Sequence, residues 1–187
     1  MTISPALQPT LWRTCRVLAN RQRLEMFRRL LQEPDQTVSA VAKGLDLSLP
    51  LASLALRAME ARGLLTVRRV GRWVKYECRR VQAGEPSATL VAALRQTFQR
   101  QSQPIEAIFK LATAFTHPRR IEVFRALQKG PRSMVEIQMM TRISVPALVR
   151  HLRKLTDRGL VAGELGRYQI VDRPDALGRE LARLAMQ

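Results

Sequence analysis

Cysteine is scarce in this chain of 187 residues, which holds only Cys15 and Cys78, far apart and in no CxxC spacing. A zinc clip or a redox pair is therefore not expected. Histidine is equally rare, at two residues. Acidic groups are few as well: 15 Asp and Glu face 32 Lys and Arg, a formal charge of +17. Such an excess calls for a polyanionic partner, nucleic acid before an anionic membrane. No run of about 18 uncharged apolar residues is present, as a membrane span would need, and "MTISPALQPTLWRTCR" lacks the charged-then-apolar order of a secretory signal. A cytoplasmic protein with no membrane partner is expected. The chain also has no nucleophile elbow, P-loop, HExxH or dinucleotide fingerprint, and few paired acids. The expectation is that it is not an enzyme.

What the chain does have is enough apolar content, 46%, to build an ordinary globular core. Its charge is not a basic tail, because residues 1–86 hold 15 basic and 7 acidic groups and residues 87–187 hold 17 and 8. The two halves also resemble each other. "PLASLALRAMEARGLL" (50–65) returns in outline 96 positions later as "PALVRHLRKLTDRGLV" (146–161). "RLEMFRRL" (23–30) matches "RIEVFRAL" (120–127) at five of eight positions.

Apolar residues at Leu11, Trp12, Cys15 and Leu18, then at Leu24, Phe27, Leu30 and Leu31, predict two helices separated at "ANRQR". "QEPDQT" reads as a turn, with Thr37 capping a helix that buries Val38, Val41, Ala42 and Leu45. Ser48 and Pro50 open another helix, with Ala52, Ala55, Leu56 and Met59 inward and Gly63 as its stop. "LLTVRRVGRWVKYEC" predicts a hairpin around Gly71, and Leu90, Val91, Leu94 and Phe98 predict a helix to about Gln101. From Pro104 the same order repeats, with a shorter hairpin, "LVAGELGRYQIV", and a closing helix from Pro174.

Each unit resembles a winged helix-turn-helix of the ArsR-type regulator family. The resemblance rests on "ANRQRLEMFRRLL", "TVSAVAKGLDLSLPLASLALRAMEARGLL" and "GRWVKYE" in the first unit. In the second it rests on "THPRRIEVFRAL", "SMVEIQMMTRISVPALVRHLRKLTDRGLV" and "GRYQIV". It implies a mainly α fold with small β-hairpin wings, and a dimer joined through the first and last helices of each subunit. One chain here would supply both subunits. The expected organisation is therefore a first winged-helix domain (1–84), a connecting helix (85–103) and a second winged-helix domain (104–187). Helices 9–19, 87–101, 104–116 and 174–185 would form an intramolecular pseudo-dimer. The monomer would display recognition helices 49–61 and 145–157 to double-stranded DNA, with further dimerisation left open.

On the second recognition helix, Leu148, His151, Leu152 and Leu155 point inward by periodicity, leaving Ala147, Arg150, Arg153 and Lys154 outward. Arg150 is the candidate base reader; Arg153 and Lys154 are candidate phosphate contacts. The first recognition helix departs from the family, with Ser53 and Arg57 joined outward by Leu49, Leu51 and Leu54. That stripe marks either a protein contact or a half that grips DNA mainly through its wing. The first wing carries Arg68, Arg69, Arg72, Lys75, Arg79 and Arg80 within thirteen residues, suited to phosphate contact. Arg72 and Arg167, at the two hairpin tips, are candidates for a minor groove.

The family often senses metal through a cysteine pair near the first helix of the helix-turn-helix, or through His and Asp on the last helix. "VSAVAK" and "VEIQMM" contain no cysteine, and 174–187 contains no histidine. No metal and no cofactor are expected, with His151 a half-buried packing residue and Met139 and Met140 core residues. The resulting expectation is a DNA-binding transcriptional regulator, a repressor by family resemblance. The rivals are a winged-helix protein-interaction module and a non-specific architectural DNA-binding protein.

Overall fold

A computed structural model describes residues 10–79 and 86–187. Its first half runs α1 (Leu11–Leu18), α2 (Arg21–Gln32), β1 (Gln36–Thr37), α3 (Val38–Gly44), α4 (Leu49–Glu60), β2 (Leu65–Val70), β3 (Trp73–Cys78) and α5 (Pro86–Arg100). The second runs α6 (Pro104–Ala112) with a 3-10 turn (Thr113–Phe115), α7 (Pro118–Ala126), β4 (Arg132–Ser133), α8 (Met134–Thr141), α9 (Val145–Asp157), β5 (Val161–Glu164), β6 (Arg167–Ile170) and α10 (Ala176–Met186). The described residues are thus mostly helical with two small antiparallel sheets, compatible with winged-helix architecture. Among the described residues no single helix is long and apolar enough to cross a membrane.

Local chemistry sets these boundaries. The Asn20 side chain accepts from the Arg23 amide at 2.9 Å, and the Thr37 hydroxyl from the Ala40 amide at 3.2 Å. Ser133 and Glu136 form a reciprocal capping box. Ser48 stands at the N-cap of α4, as expected, but its side chain makes no capping bond, and Pro50 in the first turn supplies the preset φ. Helices α4 and α9 each leave through a left-handed glycine, Gly63 at φ 68° and Gly159 at φ 67°. That turn lets the Leu64 and Leu160 amides donate back to the Met59 and Leu155 carbonyls, at 3.1 Å in both.

The sheets have the orders β1-β3-β2 and β4-β6-β5. The outer strands β1 and β4 were not expected from sequence. They pair Gln36 with Tyr76 and Thr37 with Lys75, and Arg132 with Tyr168 and Ser133 with Arg167. Two residues are too few to show a strand periodicity. Their effect is to anchor each wing to the start of α3 or α8.

Buried apolar side chains from both halves form one cluster, from Cys15, Phe27 and Leu56 to Phe115, Leu152 and Leu181. Phe27 stacks with Phe98 at 6.0 Å between centroids, and Phe115 meets Phe124 edge-on at 5.1 Å. Across the halves, α1 packs on α6 and the 3-10 turn, α2 on α6, and α5 on α6 and α10. Polar contacts accompany this packing. Arg21 makes a two-bond pair with Glu106 at 2.5 and 2.8 Å, and its guanidinium lies 3.9 Å from the Phe109 ring centre. Arg16 Nε donates to the Thr116 carbonyl, and Thr89 Oγ1 to Glu180 Oε1. Arg80 and the boundary between residues 84 and 85 lie outside the described residues.

Candidate nucleic-acid interface

Helix α9 buries Leu148, Leu152 and Leu155, and this fixes what faces solvent. Arg150 and Arg153 are exposed, three residues apart on one face. Ala147 is half-buried against the core instead of standing outward, and the exposed side holds Val145 and Val149 as well. Lys154 is also half-buried; desolvation first, then the charges of Arg158 and Arg120, lower its pKa. The helical wheel missed this because α7 packs alongside α9 and covers its flank. His151, half-buried as expected, lies 5.0 Å from the His117 ring, centre to centre. His117 Nδ1 in turn accepts from the Arg119 amide and caps α7. Burial, followed by the charges of Arg120, His117 and Arg150, lowers the His151 pKa to about 4. The ring is therefore neutral near pH 7.

Helix α4 buries Ala52, Ala55, Leu56 and Met59. Leu49, Leu51 and Leu54 stand exposed, Leu54 at 70%, with Arg57 beside them and Ser53 half-buried. The offset of 96 residues places Leu54 at the position that Arg150 holds in α9, and Arg57 at that of Arg153.

The first wing is less uniformly cationic than its composition suggests. Asp35, read from sequence only as a turn former, binds Arg68 and lies 3.6 Å from Lys75 Nζ. The Arg68 hydrogen bond is the main cause holding the Asp35 carboxyl below its usual range. Arg69 and Arg72 remain exposed, and the Arg72 guanidinium sits 4.8 Å from the Trp73 ring centre. Val70 and Trp73 are exposed beside them, so this tip presents apolar surface between its cations.

The second wing differs. Leu165, 96% exposed, occupies its tip. Arg167 beside it is exposed, and its Nη2 donates to the Pro131 carbonyl at 3.1 Å and to Glu136 Oε2 at 3.3 Å. Glu136 also lies 3.5 Å from Arg132 Nη1, and it accepts from the Ser133 amide at the N-terminus of α8. The pairing of β4 with β6 brings these groups together, which their separation in sequence conceals.

Met139 and Met140 correct another expectation. They are not core residues: with Val135 they form an exposed apolar side of α8, Met139 at 76%. Cys15 and Cys78 are both buried, and burial raises both thiol pKa values. Among the described residues, no group of three or more His, Cys, Asp or Glu side chains is placed to hold a metal ion.

No solved structure matches the chain. An uncharacterized HTH-type transcriptional regulator of Methanocaldococcus jannaschii is 33% identical over 58 residues, which covers 31% of this chain and 61% of that protein. The chain thus spans under two thirds of the length of the curated relative it matches. Residues 117–162, from the cap of α7 through α9 into β5, match the family described as "Bacterial regulatory protein, arsR family".

Proposed function

We propose that this protein is a DNA-binding transcriptional regulator that places α9 in the major groove. The observation that carries the reading is the exposed pair Arg150 and Arg153 on α9, within the stretch similar to the ArsR family. Arg presents a planar fork of donors that matches the O6 and N7 acceptors of guanine, and a second Arg along the helix suits a phosphate. The relative's printed name, a transcriptional regulator, supports the same class.

The reading extends to the whole chain as an internal pseudo-dimer. Residues 1–84 and 104–187 act as two winged-helix units joined by the helix of 85–103, and α1, α5, α6 and α10 make the contact. Packing of α1 on α6 and of α5 on α10 supports it. Two recognition helices reading successive major grooves must stand about 34 Å apart, and one chain sets that spacing at any protein concentration. The protein acts in the cytoplasm as a repressor by occupying a promoter, without metal or cofactor. Arg69 and Arg72 of the first wing hold phosphates, with Arg68 and Lys75 as weaker contributors because Asp35 offsets them.

A second reading, docking of a protein on α4, is favoured by the exposure of Leu49, Leu51 and Leu54. Fluorescence anisotropy decides between them. The purified chain is titrated with the duplex upstream of its own gene and with a scrambled duplex, across a salt series. A preference of about 10³-fold or more that survives near-physiological salt supports a specific regulator. Equal curves that collapse together as salt rises leave only counterion release, and favour the architectural or protein-docking reading.

A further inference from the structure

Arg57 and Arg153, and Leu49 and Val145, are alike at equivalent positions of the two halves, but other equivalent positions differ in chemistry, and the contrast runs in reverse between helix and wing. On the recognition helices, exposed Leu54 occupies the place of exposed Arg150, and exposed Leu51 the place of half-buried Ala147. On the wings, with Gly71 set against Gly166, Arg69 occupies the place of Glu164. Arg72 is exposed over Trp73, whereas its counterpart Arg167, also exposed, is bonded to Glu136 and the Pro131 carbonyl. The first half therefore has the more apolar helix and the more cationic wing. The second has the more cationic helix, and a wing that sets Glu164 where the first has Arg69, although both tips expose an apolar residue, Val70 and Leu165.

A palindromic operator mirrors a protein whose two reading faces are alike. These two faces are not. We infer that the target is an asymmetric duplex bound in a single orientation, with guanine read by Arg150 of α9 in one half-site and thymine methyls packed against Leu51 and Leu54 of α4 in the other. This inference rests on the DNA-binding reading proposed above. Chemistry favours thymine for α4. The 5-methyl group is the one apolar feature that a base pair presents in the major groove, and Leu54 has no donor to offer guanine. Exposed Arg69 and Arg72 on the wing then hold the first half on its phosphates, so that side requires fewer hydrogen bonds to bases.

The test is selection of the full chain against a pool of randomised duplexes about 30 base pairs long, followed by sequencing and by anisotropy on the selected duplex. The expected result is a motif without dyad symmetry, with recurrent guanine on one side and recurrent thymine on the other. Replacing those thymines with deoxyuridine removes only the methyl groups. Binding is expected to weaken about fourfold per contacted methyl, the value of one buried carbon. Leu54→Ala, at an exposed site, should reduce that sensitivity, and Leu51→Ala with it should remove it, while the guanine preference is kept. Arg150→Ala should do the reverse. A palindromic motif with guanine in both halves overturns the inference while leaving the regulator reading intact. Indifference to deoxyuridine also overturns it, and points to α4 as a protein-docking face. Failure to enrich any motif overturns both readings together.

Discussion

The base-reading role proposed for Arg150 is one that a single substitution can separate from charge alone. Arg150→Ala is expected to cost about 1–3 kcal/mol of discrimination between guanine and other bases at one position. Arg72→Ala should weaken all duplexes alike and reduce the log-log salt slope by about 0.9. Competition anisotropy over a salt series reads both, and a uniform loss in Arg150→Ala would demote that residue to a phosphate contact. His151 gives a different kind of prediction. Burial first, then the charges of Arg120, His117 and Arg150, with Glu122 offsetting them in part, lower its pKa to about 4. An unfolded imidazole titrates near pH 6.5. Between these values the unfolded chain binds a proton that the folded chain refuses, so stability from the neutral ring is intact above about pH 6.5 and lost as pH falls toward about 4. The carboxyls of Asp35, Glu106 and Glu136, held below their usual range, lose their contribution only at lower pH. The melting temperature should therefore already fall between about pH 6.5 and 4.5, and His151→Asn should flatten that slope. An unchanged slope would assign the effect to other groups.

At the scale of elements, the capping box at α8 does more than start a helix, because Glu136 also gathers Arg132 and Arg167. Ser133→Ala is expected to cost about 1 kcal/mol. Ser144→Ala, which removes no capping bond from α9, should stay within about 0.5 kcal/mol. Denaturant midpoints compare the two, and equal losses would mean that the box contributes nothing special. The long helices were legible in sequence because Leu24 to Leu31 or Leu148 to Leu155 repeat at three and four, a signal strong enough to locate α4 and α9 to within a residue. Features made by residues distant in the chain were not. Asp35 meets Arg68 across 33 positions, and Arg167 reaches Glu136 across 31. No local pattern encodes such pairs. Met139 and Met140 misled for another reason: residue type argues for burial, yet α8 buries only Ile137 and turns those methionines outward.

The molecule as a whole has one contiguous apolar core, reaching from α1 to α10. Its stability should therefore be shared by the two halves. Both tryptophans, Trp12 and Trp73, lie in the first half, and Phe115 lies in the second, in the turn on which α1 packs. Phe115→Ala is expected to cost about 3–5 kcal/mol. Because the core is continuous, tryptophan fluorescence and far-UV circular dichroism should both report that loss, in a single transition at a common midpoint. Fluorescence left unmoved by the substitution would mean that the halves unfold independently. The sealed cysteines carry this further. Cys15 sits on α1 at the contact between the halves, and Cys78 ends the wing strand β3, both closed to solvent. A thiol reagent then reacts only in molecules where that segment has opened, so each cysteine is a timer for its own region. If the Cys78 rate exceeds the Cys15 rate, the wing peels away while the two halves stay joined; equal rates mean that the chain opens as one piece.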